Sequence, residues 1–160
     1  MDWWGHSKND DGNGKPEPLM IHLNAVANRA SKHLRVWNHE SSGIVAGIYH
    51  DFGKYADQMK ERLVNPLKVP GKNHAAAGAC WIAYHYKNSI PLALAVLYHH
   101  GGLKRYFGSR RQMLKAVLKD FRENPEKYTE TNLSILSERF SQEFPDVPLE
   151  PIPKLLSGEM

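Results

Sequence analysis

Leu19, His22, Leu23, Val26, Ala30 and Leu34 recur at intervals of three and four residues, the period of a helix that turns one face to a core. The same period returns in Leu92, Ala95, Val96 and His99, and again in Leu114, Val117, Leu118 and Phe121. No run of useful length alternates apolar and polar residues as a strand would, and no internal repeat appears. The pattern predicts an all-α protein, a helical bundle. With 160 residues, 41% of them apolar, residues 1–160 fit a single domain with a sizeable core.

Turn-forming residues divide the chain. The Gly-, Asn- and Asp-rich stretch to Pro18 predicts an irregular opening loop over 1–18. A second helix is expected after Ser41-Ser42, either of which would cap it, carrying Ile44, Ile48 and Asp51 along one side up to Gly53. That puts His50-Asp51 in its last turn. Tyr55 to Leu63 reads as another short helix. Asn65-Pro66 and Pro70-Gly71 then mark a loop that delivers His74 to an alanine-rich helix. There Ala76, Ala79, Cys80 and Ala83 allow close approach of neighbours, while Trp81 and Tyr84 fill space further out. The helix after Pro91 is expected to stop at Gly101-Gly102, so that His99-His100 closes it. A last helix runs from about Asn132 to Phe144, and a Pro-rich tail follows over 145–160.

The histidines fall where these helices end or turn inward. His50 and Asp51 are adjacent, and His22, His74 and the pair His99-His100 flank them at helix-compatible positions. Ligands from separate helices must converge to about 2.0 to 2.2 Å from one ion, which requires such positions. Any one of these histidines, taken singly, is ordinarily a capping or hydrogen-bonded core residue. Five of them with an aspartate are hard to explain as packing, and six N/O ligands exceed what one structural zinc needs. They suit one or two hydrolytic metals with open positions and point to a metallohydrolase. His33 and His85 follow His22 and His74 by eleven residues, about 16 Å along a helix axis, too far to share the site. His39 lies in a loop, and His6 is ambiguous.

Charge and cysteine content narrow the setting. Cys80 is the one cysteine, so no intrachain disulfide forms and thiolate zinc sites are excluded, which fits a reducing cytoplasm. No stretch reaches the length of a membrane span, and the N-terminus lacks the basic start and apolar run of an export signal. Net charge is +4, but Lys104, Arg105, Arg110, Arg111, Lys115 and Lys119 form a basic segment with no acidic residue among them. Such a patch could hold phosphates of a nucleic acid, and it could equally be a solvated helix face.

Five segments occur in order: Trp3-Trp4-Gly5-His6-Ser7, Pro18-Leu19-Met20-Ile21-His22-Leu23, His50-Asp51-Phe52-Gly53-Lys54-Tyr55, Asn73-His74-Ala75-Ala76-Ala77-Gly78-Ala79 and His99-His100-Gly101-Gly102-Leu103. This pattern resembles the HD-domain nuclease of type I CRISPR interference, from residue 3 to about 103. The resemblance implies a helical HD fold with a metal site between helices, cutting single-stranded DNA. It implies His22, His50, Asp51, His74, His99 and His100 as ligands of one or two divalent transition-metal ions, manganese, nickel or cobalt foremost, with magnesium, zinc or iron as alternatives. Asp51 is placed to bridge two ions. Lys54, with the ions, would offset charge developing on phosphorus. The implied partners are single-stranded DNA, a CRISPR helicase and the RNA-guided surveillance complex, the latter two in trans or as missing parts of the chain.

The family pattern includes a further metal-binding aspartate beyond the His-His-Gly-Gly element. The downstream aspartates here, Asp120 and Asp146, lie in neither context, so a fragment truncated at its C-terminus is expected. Two other readings use the same residues: an HD phosphohydrolase acting on small nucleotides, and a non-catalytic module docking DNA or a helicase.

Overall fold

The computed structural model describes residues 3–6, 16–64, 74–86, 89–100, 116, 119, 123 and 133–146. The described elements are helical apart from one short two-stranded sheet. In that sheet β1, Trp4–His6, pairs antiparallel with β2, Glu17–Pro18. The opening segment read as a loop over 1–18 therefore includes a strand pair. The chain is drawn back so that Leu19 N donates to Trp3 O at 2.8 Å, and Trp3 is buried over the core.

The first helix, α1, spans Leu19–Leu34 and buries Leu19, Leu23 and Ala27, while Val26, Ala30 and Leu34 on the predicted face are half-buried. A 3-10 turn, Arg35–Trp37, leads to Asn38 at φ 56°, the left-handed conformation that asparagine tolerates better than most residues. The reversal places the start of α2 at Glu40, so α2 spans Glu40–Tyr49 with His39 at its N-cap. Ser41 and Ser42 are thus inside the helix and cap nothing. Ser42 is buried, with its hydroxyl oxygen unpartnered.

Among the described elements the largest interface joins α1 and α2. Gly47 makes it possible, because a Cβ there would fall into the backbone of Ala27. The close crossing sets the buried face of α2 at Val45, Gly47, Ile48 and Tyr49 and leaves Ile44 44% exposed. The predicted stripe of Ile44, Ile48 and Asp51 is corrected accordingly.

After Tyr49 the helix stops. His50 is its C-cap, and Asp51, at φ −111° and ψ 20°, precedes a 3-10 turn over Phe52–Tyr55. The His-Asp pair thus lies just past α2 and not in its last turn. The third helix, α3, follows at Asp57–Val64. Next come α4, His74–His85, and α5, Ile90–Leu97. The latter ends before the double histidine, which lies in the turn that follows. Gly101-Gly102, expected to stop that helix, lies outside the described residues. Positions 116, 119 and 123 are helical, and α6 spans Leu133–Glu143, close to the range its sequence predicts.

An aromatic cluster underlies the His-Asp turn. Phe140 of α6 packs at ring-centroid distances of 5.3, 5.7 and 5.8 Å from Tyr49, Phe52 and Tyr55. Trp81 of α4 stands 5.2 Å from Phe52. Offset and edge-on pairs at these distances add to the area each ring buries. Trp81 is inside the core, although the sequence put it further out, and Tyr84 is exposed. Polar ties close the far side: the Tyr55 hydroxyl donates to Glu143 Oε2 at 2.7 Å, and Arg139 donates to Tyr55 O at 2.7 Å and to Asp57 Oδ2 at 3.0 Å. A rigid aromatic floor therefore carries the turn that presents Asp51.

Candidate metal centre

Helix geometry delivers the six expected residues to one place. His22 comes from the second turn of α1, His50 and Asp51 from the end of α2, His74 from the first position of α4, and His99 and His100 from the turn after α5. Close approach of the His-Asp turn to α4 depends on Gly53, where a Cβ would strike the backbone of His74.

Asp51, 2% exposed, organises the cluster with its two oxygens. His22 Nε2 and His50 Nε2 each lie 3.3 Å from Oδ2. On the other side His74 Nε2 lies 3.0 Å and His99 Nε2 3.5 Å from Oδ1. Within the first set His22 Nε2 and His50 Nε2 are 3.2 Å apart, and within the second His74 Nε2 and His100 Nε2 are 2.8 Å apart. Asp51 is common to both sets of ligand atoms, and each set lies within a sphere suited to one ion. Ligands held at about 2.0 to 2.2 Å around one ion are separated from each other by roughly 3.0 to 3.5 Å. Five of the six spacings fall in that range, and His74 to His100, at 2.8 Å, is slightly shorter.

The protons of the rings give an independent test. His50 Nδ1 is 2.7 Å from Gly47 O, and His99 Nδ1 is 2.7 Å from Val96 O. A carbonyl only accepts, so each Nδ1 carries the hydrogen, and in the neutral ring Nε2 keeps a bare lone pair. His22 Nδ1 similarly faces Glu17 Oε2 at 3.1 Å. Three lone pairs are thereby aimed at a buried carboxylate, and two of them at each other. Asp51 Oδ1 accepts no hydrogen bond of good geometry. An arrangement of acceptors facing acceptors is satisfied by a cation between them, and rings fixed through Nδ1 are the usual support of metal-binding histidines. The residues present fit a divalent metal.

Residues 19–137 match the HD domain family. The chain belongs to that family. No curated protein matches it. Membership agrees with the helical fold and with the His/Asp cluster, and it carries the general chemistry of a metal-dependent phosphohydrolase.

The electrostatics of the HD centre follow from its burial. Desolvation pushes the Asp51 carboxyl up, and hydrogen bonds from His22, His50, His74 and His99, made when those rings carry a proton on Nε2, more than reverse this and hold it far below the usual carboxylate range. Asp51 in turn raises His22 through their direct contact, against the effect of burial. His100 is lowered to about 4 by burial and by the neighbouring His99 and His74, so it is neutral at physiological pH, as a metal ligand must be. Lys54 has its ammonium 2.7 Å from Asp51 Oδ2 and donates to Gly5 O, with its side chain 8% exposed. It is bound into the wall of the centre.

Three partners of the HD centre escaped the sequence. Glu17, which orients His22, sits in the stretch read as irregular, and the carbonyls of Gly47 and Val96 carry no sequence signal beyond lying three residues before His50 and His99. The excluded histidines are where the spacing put them: His33 is exposed on the later turns of α1, and His85 lies against the Trp81 ring at a centroid distance of 4.0 Å. His39, expected in a loop, is the N-cap of α2, and the side chain of His6 lies outside the described residues.

Of the basic segment, Lys119 is exposed and lies 3.9 Å from Glu123, while Lys104, Arg105, Arg110, Arg111 and Lys115 lie outside the described residues, as does Asp120. Asp146 is exposed. Among the described residues no helix is long and apolar enough to cross a membrane.

Proposed function

We propose that this HD domain is a metal-dependent nuclease that hydrolyses phosphodiester bonds of single-stranded DNA in type I CRISPR interference, acting in the cytoplasm. A CRISPR helicase and an RNA-guided surveillance complex would act with it, in trans or as further parts of a longer chain. The observation that carries this reading is the division of Asp51: one buried carboxylate turns each oxygen to a separate set of imidazoles. The ordered motifs from His22 through His-Asp and His74 to His-His-Gly-Gly support the choice of a DNA substrate over other phosphate esters.

In this reading His22, His50 and Asp51 hold one divalent ion, and Asp51, His74, His99 and His100 hold a second. Manganese, nickel or cobalt are the foremost choices, and magnesium, zinc or iron are compatible with the same imidazole and carboxylate donors. Bound there, such ions supply Lewis-acid activation of water and neutralise charge at phosphorus. The chain's own part is preorganisation. The Nδ1 contacts to Glu17, Gly47 and Val96 fix the rings of His22, His50 and His99, and Lys54 fixes Asp51. The Lys54 charge also adds to the positive field that the reacting phosphate meets. His99 and His100 are the more exposed members, which leaves the centre open on their side to a polymer. Lys104, Arg105, Arg110, Arg111, Lys115 and Lys119 would guide the strand by its phosphates.

The test is cleavage of circular single-stranded DNA by protein stripped of metal and then given manganese, nickel, cobalt, magnesium or zinc in turn. A circle has no ends, so nicking that disappears in Asp51→Ala establishes an endonuclease. An intact circle in every metal, or hydrolysis of mononucleotides in preference to DNA, contradicts the proposal.

A further inference from the structure

Beside the metal centre, between α1, α2 and α5, lies a cavity of about 350 Å³ walled by Val26, Ala30, Ala46 and Ala95 and bounded by His50 and His99. Its volume is within the range of small-ligand sites. Apart from the two histidines, the lining offers no side chain that donates or accepts a hydrogen bond.

The two histidines give the cavity its meaning. His50 faces Asp51 Oδ2 and His99 faces Oδ1, so the cavity adjoins both halves of the cluster that a phosphate would approach. A phosphate held there leaves whatever is attached to it at the mouth of an apolar space. In a nucleic acid that is a deoxyribose and its base. The base has two apolar faces and a polar edge, and methyl-lined walls can take the faces while offering the edge no partner.

We infer that this cavity takes the nucleobase of the nucleotide being cut, by apolar contact and without selecting its identity. The inference rests on the proposed DNA substrate and adds a physical source for strand preference. A base in a duplex is paired and stacked and must give up both to enter a side cavity, whereas a base in single-stranded DNA is already free to swing in.

The test compares two phosphomonoesters that differ only in the base, thymidine 5′-monophosphate and 2-deoxyribose 5-phosphate, by calorimetric titration in the presence of Mn²⁺. The expected result is that the nucleotide binds more tightly on the order of tenfold, the gain being apolar area removed from water. Ala95 is exposed on α5, so Ala95→Phe fills the cavity from its outer wall; it should bring the two ligands to within about twofold of each other while Mn²⁺ still raises the variant's melting temperature.

Equal affinities in the wild-type protein overturn the inference without any variant, and a tenfold preference that survives Ala95→Phe overturns it as well. Base preference in a protein that leaves every DNA uncut would sustain the cavity and remove the nuclease proposal. Cutting of circular DNA with no base preference would do the reverse.

Discussion

His22 Nε2 and His50 Nε2 stand 3.2 Å apart, each ring turned by a hydrogen-bond acceptor on its other nitrogen. Glu17 and Gly47 O between them leave the neutral rings lone pair to lone pair, beside the Asp51 carboxylate. Local structure at three separate points of the chain has been spent on a contact that is repulsive without a positive charge in it. A proton on His22, which Asp51 favours, supplies that charge in the metal-free protein, and a divalent ion supplies it in the bound one.

Lys54 makes a related prediction. Its ammonium and the Asp51 carboxylate are both almost fully buried and 2.7 Å apart, so Lys54→Met removes one partner and leaves the other in the core. Breaking such a pair ordinarily costs about 3 to 5 kcal/mol. With His22 still facing Asp51, the loss should lie near the lower end, about 3 kcal/mol, by urea unfolding in a chelator. Saturating Mn²⁺ should recover much of it, because the ions then neutralise Asp51. An equal loss with and without metal would show that Lys54 acts on packing alone.

The alkaline limb of stability follows from buried acids. Burial pushes the Cys80 thiol from 9.0 up to about 12 and raises the Tyr49, Tyr55 and Tyr86 hydroxyls above 10.0. These groups are neutral when folded and ionise more easily when unfolded. Their contribution is therefore complete below pH 9 and is lost as pH rises above it, at about 1.4 kcal/mol per pH unit for each group ionised in the unfolded chain alone. The urea midpoint should be level from pH 7 to 9 and fall beyond it, and Cys80→Ala should delay the onset toward pH 10. A midpoint unchanged at pH 11 would contradict this.

Much of this was legible in the residues, and the reasons for the gaps are physical. The spacing of Leu19 and Leu23 located α1, and the eleven-residue offsets excluded His33 and His85, because helix period and rise are the same everywhere. The ends were harder. Nothing local to Ser41-Ser42 shows that Asn38 has already reversed the chain, and nothing in Ile44 shows that α1 presses on α2 at Gly47 and leaves Ile44 itself partly exposed. Asp51 reads as a helical residue until its burial is known, since the turn that points it inward is held by Gly53 against His74 and by the ring of Phe140, 89 residues further on. The pairing of Trp4–His6 with Glu17–Pro18 was hidden for the same reason: strands this short carry no alternation, and their hydrogen bonds are not a property of side chains.

The division of Asp51 between two ligand sets is the central claim, and counting bound ions tests it most directly. Dialysis against Mn²⁺ or Ni²⁺ followed by elemental analysis should give two ions per wild-type chain. His22→Ala and His100→Ala, each touching one set, should retain one ion, and Asp51→Ala should retain neither at the same free metal concentration. Wild-type stoichiometry in Asp51→Ala, with its histidines intact, would contradict the account, because the carboxylate would then not be what joins the two halves.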